Sequence, residues 1–298
     1  MIFKSGFVAI IGRPNAGKST LLNAMMKEKI AITSEKPQTT RNNILGILND
    51  DNFQLVFIDT PGVHKPQTTL ARNMNKGVYI SMQDADVIYL VVDCTKPYGA
   101  GDEFLNERIK HTKSKVFLLL NKVDVISKEG VLQLLLKWQE LFDFDEIIPI
   151  SALKNENLQV LLSLTLKYIS EGVAYYPNDM LSDRSDSFQV KEIVREKILH
   201  LTHQEIPHGV AIVVEDFEET DTNICIQALV VVERKSQKGI LIGKQADMIK
   251  KIRLLSQKEL KQYFKKKVTL ELYVRVEENW RNKETKLAQF GYKEYDNE

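Results

Sequence analysis

Residues 12–20 read GRPNAGKST and stand between two apolar segments, FVAII at 7–11 and LLNAMM at 21–26. Two glycines, a lysine and a serine occupy the spacing G-x-x-x-x-G-K-S. Between a strand and a helix, the backbone N–H groups of such a loop converge on phosphate oxygens. The stretch predicts a phosphate-binding loop in which Lys18 bridges the β- and γ-phosphates and Ser19 gives its hydroxyl to Mg²⁺. The predicted residues of this loop are Gly12, Arg13, Pro14, Asn15, Ala16, Gly17, Lys18, Ser19 and Thr20.

The composition is typical of a folded protein, since 43% of the 298 residues are hydrophobic and 27% are charged. That length is enough for one large or two ordinary domains. We expect no membrane-spanning helix, because no run of about 18 apolar residues occurs, and no signal peptide, because the N-terminal apolar segment is too short. Cys94 and Cys225 match no metal-binding spacing, so we interpret both as reduced, buried residues of a cytoplasmic protein.

Short apolar segments alternate with segments of helical spacing up to about residue 170. The apolar segments are FVAIIG, QLVFIDT, DVIYLVVD, KVFLLLNK and EIIPISA. Such runs are typical of strands that are buried on both faces of a parallel sheet. Residues 44–59 predict one hairpin, because the turn-rich NDDN separates two strand patterns. We therefore predict an α/β domain with a mixed, mostly parallel sheet and helices on both faces.

A turn-rich segment at 175–187, YYPNDMLSDRSDS, predicts a linker. After it the pattern becomes one helix, two strands, two helices and one strand. The helices include SFQVKEIVREKILHLT and residues 247–264, and the strands are GVAIVVEDF, NICIQALVVVE and VTLELYVRV. We predict a first domain at 1–174, the linker, and a second, α+β domain with a C-terminal tail at 188–298.

The sequence DTPG at 59–62 ends an apolar strand. We expect Asp59 to hold Mg²⁺, mostly through water, and the N–H of Gly62 to approach a γ-phosphate. Thr60 and Pro61 complete this predicted loop. The same residue types also form ordinary turns after strands, so the prediction depends on the companion motifs.

Another strand ends in NKVD at 121–124. The carboxylate of Asp124 can accept hydrogen bonds from the ring N–H and the exocyclic amine of guanine, and adenine lacks that pair of donors. A site of this kind discriminates between bases by about 10⁴. We expect Asn121 to brace the loop, Lys122 to lie along the base, and a backbone N–H of ISA at 150–152 to meet the guanine carbonyl. The predicted base-binding residues are Asn121, Lys122, Asp124, Ser151 and Ala152.

The phosphate loop, DTPG, NKVD and ISA, in this order, resemble the TRAFAC GTPases. A dinucleotide-binding protein is excluded because G-x-G-x-x-G is absent, and a P-loop kinase would not need NKVD. The resemblance implies GTP as substrate, GDP as product and Mg²⁺ as cofactor. The first switch loop then falls in IAITSEKPQTTRNNI at 30–44. Thr39 and Thr40 are candidates for a hydroxyl that joins Mg²⁺ beside a γ-phosphate, and the resemblance favours Thr40. The predicted metal ligands are Ser19, Thr40 and Asp59.

The second switch lacks the catalytic glutamine that Ras-like GTPases have directly after the switch glycine, because Val63 stands there. An aliphatic side chain cannot orient water, so we expect slow intrinsic hydrolysis that depends on the backbone, a cation or a partner. Asn15 resembles the asparagine with which several such GTPases hold K⁺ in place of an arginine finger. We interpret His64 as a surface-loop residue. The predicted catalytic residues are Asn15, Lys18, Thr40 and Gly62.

Basic charge is concentrated at 235–267, where eleven residues are Lys or Arg and two are acidic. Within this segment GILIGKQADMIKKI, at 239–252, resembles a KH domain of type II, whose glycine-containing turn clamps about four nucleotides. Ala246 replaces the second glycine of that turn, and its methyl group is expected to narrow the backbone approach or forbid a positive φ. We interpret residues 265–267 as solvated or phosphate-facing and Trp280 as packed. The predicted RNA-binding residues are Gly243, Lys244, Gln245, Ala246, Lys250, Lys251 and Arg253.

The stretches GRPNAGKST, PQTTR, DTPGVHKP and NWRNKETKLAQFGY, with the KH-like segment between, resemble the Era family from about Gly6 to Tyr292. The resemblance implies a protein that binds the 3′ end of 16S ribosomal RNA and assists assembly of the 30S subunit and rRNA maturation. It also implies peripheral contact with the cytoplasmic face of the membrane, where basic residues meet anionic lipid. We expect a monomer in which the nucleotide state controls RNA binding.

Two other functions are weighed against this one. A signalling GTPase with a protein-binding C-terminal domain would use the basic segment only as a solvated surface. Steeply salt-dependent RNA binding distinguishes the two, because phosphate contacts release counterions. A membrane-anchored GTPase is disfavoured, because the chain contains no lipidation motif and no spanning segment.

Overall fold

The computed structural model describes residues 3–202 and 206–292. The chain divides into two compact units. Unit 1 consists of Met1–Thr33, Thr40–Gln67 and Ala71–Asp183, and unit 2 consists of Ser34–Thr39, Thr68–Leu70 and Arg184–Glu298. Within the described residues, no helix is both long and apolar enough to cross a membrane.

Unit 1 contains a six-stranded sheet. Its strands are β1 (Lys4–Gly12), β2 (Ile44–Asp50), β3 (Phe53–Asp59), β4 (Val87–Asp93), β5 (Lys115–Asn121) and β6 (Glu146–Ile150). The spatial order is β2-β3-β1-β4-β5-β6, and only the β2–β3 hairpin is antiparallel. The predicted mixed, mostly parallel sheet is therefore confirmed.

The helices of the first half are α1 (Lys18–Met26), α2 (Thr69–Asp84), α3 (Ala100–Ile109), α4 (Lys128–Gln139) and α5 (Leu158–Tyr168). Alternate residues of the central strands enter cores on opposite faces of the sheet, which explains why these strands are apolar throughout. Ile88 and Leu90 of β4 pack in one cluster with Trp138 of α4. Tyr89 points the other way, where its hydroxyl hydrogen-bonds Thr165 of α5 at 2.6 Å.

The stretch expected to be a linker begins with residues that hydrogen-bond to β3 and β2. Gln54 is fully buried, and its carboxamide accepts from the backbone N–H groups of Tyr175 and Tyr176 at 2.6 and 3.0 Å. Farther along, the backbone N–H of Ile47 donates to the carbonyl of Leu181 at 2.9 Å. Residues up to Asp183 accordingly belong to unit 1.

The second half contains a three-stranded sheet and four helices among its described residues. The elements are α6 (Asp186–Leu201), β7 (Ala211–Glu219), β8 (Asn223–Val232), α7 (Lys235–Ile242), α8 (Asp247–Phe264), β9 (Lys267–Val276) and α9 (Glu284–Phe290). The strand order is β7-β8-β9, with β7 antiparallel and β9 parallel to β8. This α+β arrangement, with a parallel pair at one side, confirms the predicted type II KH fold.

Two sequence expectations in this unit have different outcomes. Trp280 packs as expected, because it is fully buried and its indole N–H donates to the carbonyl of Gly209 at 3.0 Å. Cys225 was expected in the core, and this is wrong, because the residue is exposed. It lies on β8 between Ile224 and Ile226, which face the core, so the alternation of a half-buried sheet turns Cys225 outward. The helix α9 was not predicted.

Candidate functional site

The phosphate loop joins β1 to α1 and has a conformation that requires its glycines. The φ angles of Asn15 and Gly17 are 63° and 98°. A Cβ atom on Gly17 would lie 2.2 Å from the Asn121 side-chain nitrogen, so no other residue fits there. That amide donates to the carbonyl of Ala16 at 2.8 Å, and the N–H of Val63 donates to the carbonyl of Gly12 at 3.2 Å. The loop is thus held by Asn121 at the end of β5 and by Val63, which directly follows DTPG.

Lys18 is buried at the start of α1. Its ammonium group donates to the carbonyls of Gly12 and Arg13 at 3.2 and 3.0 Å. Burial lowers the pKa of Lys18 to about 8, and the negative charge of Asp59 opposes that shift. A buried cation beside a loop of backbone N–H groups favours a multiply charged anion.

The three predicted metal ligands lie together. Ser19 donates its hydroxyl to Asp59 at 2.6 Å, and the hydroxyls of Ser19 and Thr40 are 2.9 Å apart. The hydroxyl of Thr39 instead donates to the carbonyl of Lys36 at 2.6 Å, so only Thr40 joins this cluster. The second carboxylate oxygen of Asp59, Oδ1, is buried and has no hydrogen-bond partner. Two hydroxyls and a carboxylate with an unsatisfied oxygen fit Mg²⁺, which prefers oxygen ligands.

The DTPG segment lies against the phosphate loop. A Cβ atom on Gly62 would lie 2.6 Å from Cα of Pro14, so the close approach requires glycine. Thr60 donates its hydroxyl to the carbonyl of Ile10 at 2.7 Å. Val63 is 1% exposed and belongs to the core cluster, which gives a packing reason for an aliphatic residue after the switch glycine. The imidazole Nδ1 of His64 lies 3.1 Å from the carbonyl of Gly62.

The base-binding motifs meet at the carboxyl ends of β5 and β6. Asn121 is buried, and its side-chain oxygen accepts from the N–H of Ala152 at 3.0 Å. Lys122 donates to the carbonyl of Asn15 at 3.0 Å. Asp124 is exposed in a short 3-10 turn, and Ser151 is buried beside Ala152. The structure therefore brings NKVD, ISA and the phosphate loop to one edge of the sheet.

Two acidic residues of this edge were missed from the sequence. Asp93 accepts from Lys122 at 2.6 Å, and Asp102 accepts from Arg13 at 2.8 Å. A signal existed for Asp93, since it ends an apolar strand as Asp59 and Asn121 do. No comparable signal existed for Asp102, which lies in α3.

The candidate RNA clamp connects α7 to α8. Gly243 has φ 73°, and a Cβ atom there would lie 2.9 Å from the backbone nitrogen of Met248. Gln245 and Ala246 both have positive φ, at 50° and 63°. The expectation that the methyl group of Ala246 forbids a positive φ is therefore wrong, because the turn adopts it at a cost in strain. The exposed predicted residues are Lys244, Gln245, Lys250 and Lys251, while Gly243, Ala246 and Arg253 are partly buried.

Family comparisons match both halves of the chain. Residues 7–122 match a family described as 50S ribosome-binding GTPase, and residues 205–281 match the KH domain. Fold and site together define a P-loop GTPase with a C-terminal KH domain.

Two solved structures are similar along almost the entire chain. One is a variant of Aquifex aeolicus Era bound to GDP and AlF₄⁻, with 36% identity, a TM-score of 0.94, and coverage of 97% of this chain and 99% of that one. The other is Era in complex with MgGDPNP and nucleotides 1506–1542 of 16S ribosomal RNA, with 36% identity, a TM-score of 0.95 and the same coverage. The chain belongs to the Era family.

Proposed function

We propose that this protein binds and hydrolyses GTP, binds the 3′ end of 16S ribosomal RNA, and thereby assists assembly of the 30S subunit and rRNA maturation. The observation that carries the proposal is the combination of a complete guanine-nucleotide site with a KH turn in one chain. It is supported by the Era structures, which hold GDP with AlF₄⁻ in one case and MgGDPNP with 16S rRNA in the other. The functional parts are a GTPase domain at 1–174, a connecting segment at 175–187 and an RNA-binding domain at 188–298.

The roles of the site residues follow from the chemistry of the nucleotide. The loop from Gly12 to Thr20 and the DTPG segment surround the phosphates, and NKVD with Ser151 and Ala152 binds guanine. Ser19, Thr40 and Asp59 hold Mg²⁺, which neutralises phosphate charge when bound. Lys18 and the N–H of Gly62 stabilise charge on the transferred phosphoryl group.

Protonation of Asp59 is expected to weaken Mg²⁺ binding in acid. Burial raises the pKa of Asp59 to about 6, against the opposing charge of Lys18 and hydrogen bonds from Ser19 and Thr40. The carboxylate form, which predominates above that pH, holds the metal, whereas below it a proton competes. The Mg²⁺ affinity of the GDP-loaded protein should therefore fall about tenfold for each pH unit below 6. Calorimetric Mg²⁺ titrations test this.

The same titration of free GDP in each buffer corrects for protonation of its phosphates. The variant Asp86→Asn is the matched control, because Asp86 is exposed just before β4, at the amino edge of the parallel strands, whereas Asp59 ends β3 at their carboxyl edge. A corrected affinity that stays constant through pH 6 would contradict the assignment.

A monovalent cation takes the place of the missing glutamine in this proposal. Asn15 lies in the phosphate loop with a left-handed backbone, and Val63, which directly follows Gly62, is a buried aliphatic residue that cannot orient water. We expect hydrolysis at least about tenfold faster in K⁺ than in Na⁺. The variant Asn15→Ala should remove most of that difference, which single-turnover assays in the two salts measure. Equal rates in the two salts for the unmodified protein would exclude the cation.

RNA binding by the KH turn is supported by its glycine-dependent backbone and by the exposed lysines around it. The deciding experiment measures binding of an RNA with the 3′-terminal sequence of 16S rRNA, with GDP or GDPNP bound, over a range of salt. We expect tighter binding with GDPNP and a steep loss of affinity with salt, because phosphate contacts release counterions. The absence of RNA binding would favour the alternative of a protein-binding second domain, and equal affinity in both nucleotide states would exclude control by the nucleotide.

The variant Ala246→Gly is expected to raise RNA affinity a few-fold with little change in stability. Glycine relieves the left-handed strain of Ala246, which costs about 1–2 kcal/mol, but it also adds entropy to the unfolded chain. The removed methyl group opens the approach of nucleotides to the turn. Fluorescence anisotropy with the same RNA and denaturant unfolding measure the two effects. Gly239→Ala, which has no atom within 4 Å of the added methyl, is the control for packing. Weaker RNA binding by Ala246→Gly would show that the methyl group helps.

The proposal places the protein in the cytoplasm as a monomer. It also includes peripheral contact with the cytoplasmic face of the membrane, through basic residues that meet anionic lipid. Co-sedimentation with phosphatidylglycerol vesicles, compared with neutral vesicles, tests that contact.

A further inference from the structure

The segment from Asp93 at the end of β4 to Asp102 in the first turn of α3 forms two ion pairs with the nucleotide-site motifs, one with Arg13 and one with Lys122. Arg13 extends from the loop to Asp102, whose side chain is 5% exposed, at 2.8 Å. The same guanidinium donates to the carbonyl of Pro97 at 3.2 Å. The Arg13 stem lies over Gly101, where a Cβ atom would come within 3.2 Å of its Cγ.

The second pair joins this segment to the base-binding motif. Lys122 donates to Asp93 at 2.6 Å and to the carbonyl of Asn15 at 3.0 Å. One ammonium group therefore links NKVD, the phosphate loop and the end of β4. Partial burial would raise the pKa of Asp93, but hydrogen bonds from Lys122 and Thr95 and the charge of Lys122 hold that pKa below its usual range, so the carboxyl group is ionised at neutral pH.

Hydrogen bonds within their own segment orient the carboxylates of Asp93 and Asp102, independently of the ion pairs. Asp93 accepts from the backbone N–H and the hydroxyl of Thr95 at 2.9 and 2.6 Å. Asp102 accepts from the N–H of Gly99 at 3.0 Å. Charged hydrogen bonds to a preorganised acceptor lose less entropy on formation, so they restrain the attached loop more effectively.

The restraint matters because the phosphate loop has an unfavourable backbone. Asn15 and Gly17 lie in the left-handed region, and Asn15 has a Cβ atom. Such conformations persist only when the surroundings hold them. Asn121 holds the loop at Ala16, Lys122 holds it at Asn15, and Arg13 holds its first part.

We propose that Asp93 and Asp102 are positioning residues that keep the phosphate loop and the base-binding motif in register and so slow the release of bound guanine nucleotide. Arg13 acts in this way through α3 and not by touching the nucleotide with its side chain. The inference rests on the proposed nucleotide binding. It assigns a kinetic role, control of the lifetime of the bound nucleotide, to two acidic residues outside the four sequence motifs.

The test uses the full chain loaded with Mg²⁺ and N-methylanthraniloyl-GDP and chased with excess GDP. Asp102→Asn and Arg13→Gln are each expected to raise the dissociation rate about tenfold, since a hydrogen bond to a charged group is worth at least that factor. The double variant should be no faster than about twice the faster single variant, because both changes remove one interaction. Asp93→Asn should accelerate release similarly, and have no further effect in a Lys122→Met background.

Glu107→Gln is the matched control, because Glu107 lies on α3 in an exposed pair with Lys110 and should leave the rate within about twofold. Loss of folding would lower the fraction of protein that binds, whereas the proposal concerns the rate of release from the molecules that do bind. Unchanged rates, or rates that multiply in the double variant, would overturn it. An unmodified protein that binds no guanine nucleotide would instead refute the proposed function.

Discussion

Replacing Asp124 by Asn is expected to lower the affinity for GTP and GDP by about 10⁴-fold. The carboxylate accepts from two donors of guanine, and Asn offers one oxygen and an NH₂ group that would face the exocyclic amine. The NH₂ group of Asn and the exocyclic amine of guanine, both hydrogen-bond donors, would then face each other without water, which costs more than the loss of one hydrogen bond. Because Asp124 is exposed in a 3-10 turn, the substitution should leave folding intact. Competition binding with labelled GDP measures the change.

The same variant should gain affinity for xanthosine triphosphate. Xanthine carries an oxygen where guanine carries the amine, and the NH₂ group of Asn can donate to that oxygen. Asp51→Asn, in the exposed turn of the β2–β3 hairpin, is the matched control and should bind GTP normally. If Asp124→Asn bound GTP as tightly as the unmodified protein does, Asp124 would not be the base-recognition residue.

Replacing Lys18 by Met is expected to slow GTP hydrolysis by about 10²–10³-fold at saturating GTP. Methionine keeps a long, flexible side chain but removes the buried charge that faces the phosphate loop carbonyls of Gly12 and Arg13. A preorganised cation in a desolvated site stabilises developing phosphate charge without reorganisation. Single-turnover release of phosphate measures the rate, and a parallel titration shows that the site is saturated.

The loss of Lys18 also affects Asp59, because burial raises the pKa of that carboxyl and the lysine charge is the largest of the effects that oppose the rise. Its pKa should rise further in Lys18→Met, so Mg²⁺ binding should weaken at higher pH than in the unmodified protein. Lys113→Met, on an exposed loop of unit 1, controls for loss of a lysine charge. Normal hydrolysis by Lys18→Met would exclude the lysine from the reaction.

The fold of each half was predictable from local patterns. Continuous apolar strands with helices between them indicate a parallel sheet buried on both faces, whereas the strand order β2-β3-β1-β4-β5-β6 was not predicted. The type II KH fold was predictable because one short turn, around Gly243, was recognisable between two helical patterns. Helix α9 was missed because seven residues carry too little periodicity to distinguish a helix from a tail.

Several site features required the structure. The sequence made both Thr39 and Thr40 candidates for the metal site. Only the folded backbone distinguishes them, because the hydroxyl of Thr39 donates to the carbonyl of Lys36 and the hydroxyl of Thr40 donates to Asp59. The exposure of Cys225 depends on which face of a three-stranded sheet is covered. The left-handed conformation of Ala246 could not be foreseen, because its cost is outweighed by the packing of two helices around it.

The sequence by itself determined the ligand chemistry of this protein. A phosphate loop, a carboxylate for guanine and a KH turn are short segments, and each is recognisable from its own residues and their spacing along the chain. The tertiary structure alone decided how these segments are held. Arg13 and Asp102 are 89 residues apart, and Lys122 and Asp93 are 29 apart. Ion pairs at such separations leave no periodic signal in a single sequence, since they exist only when parallel strands bring their carboxyl ends to one edge.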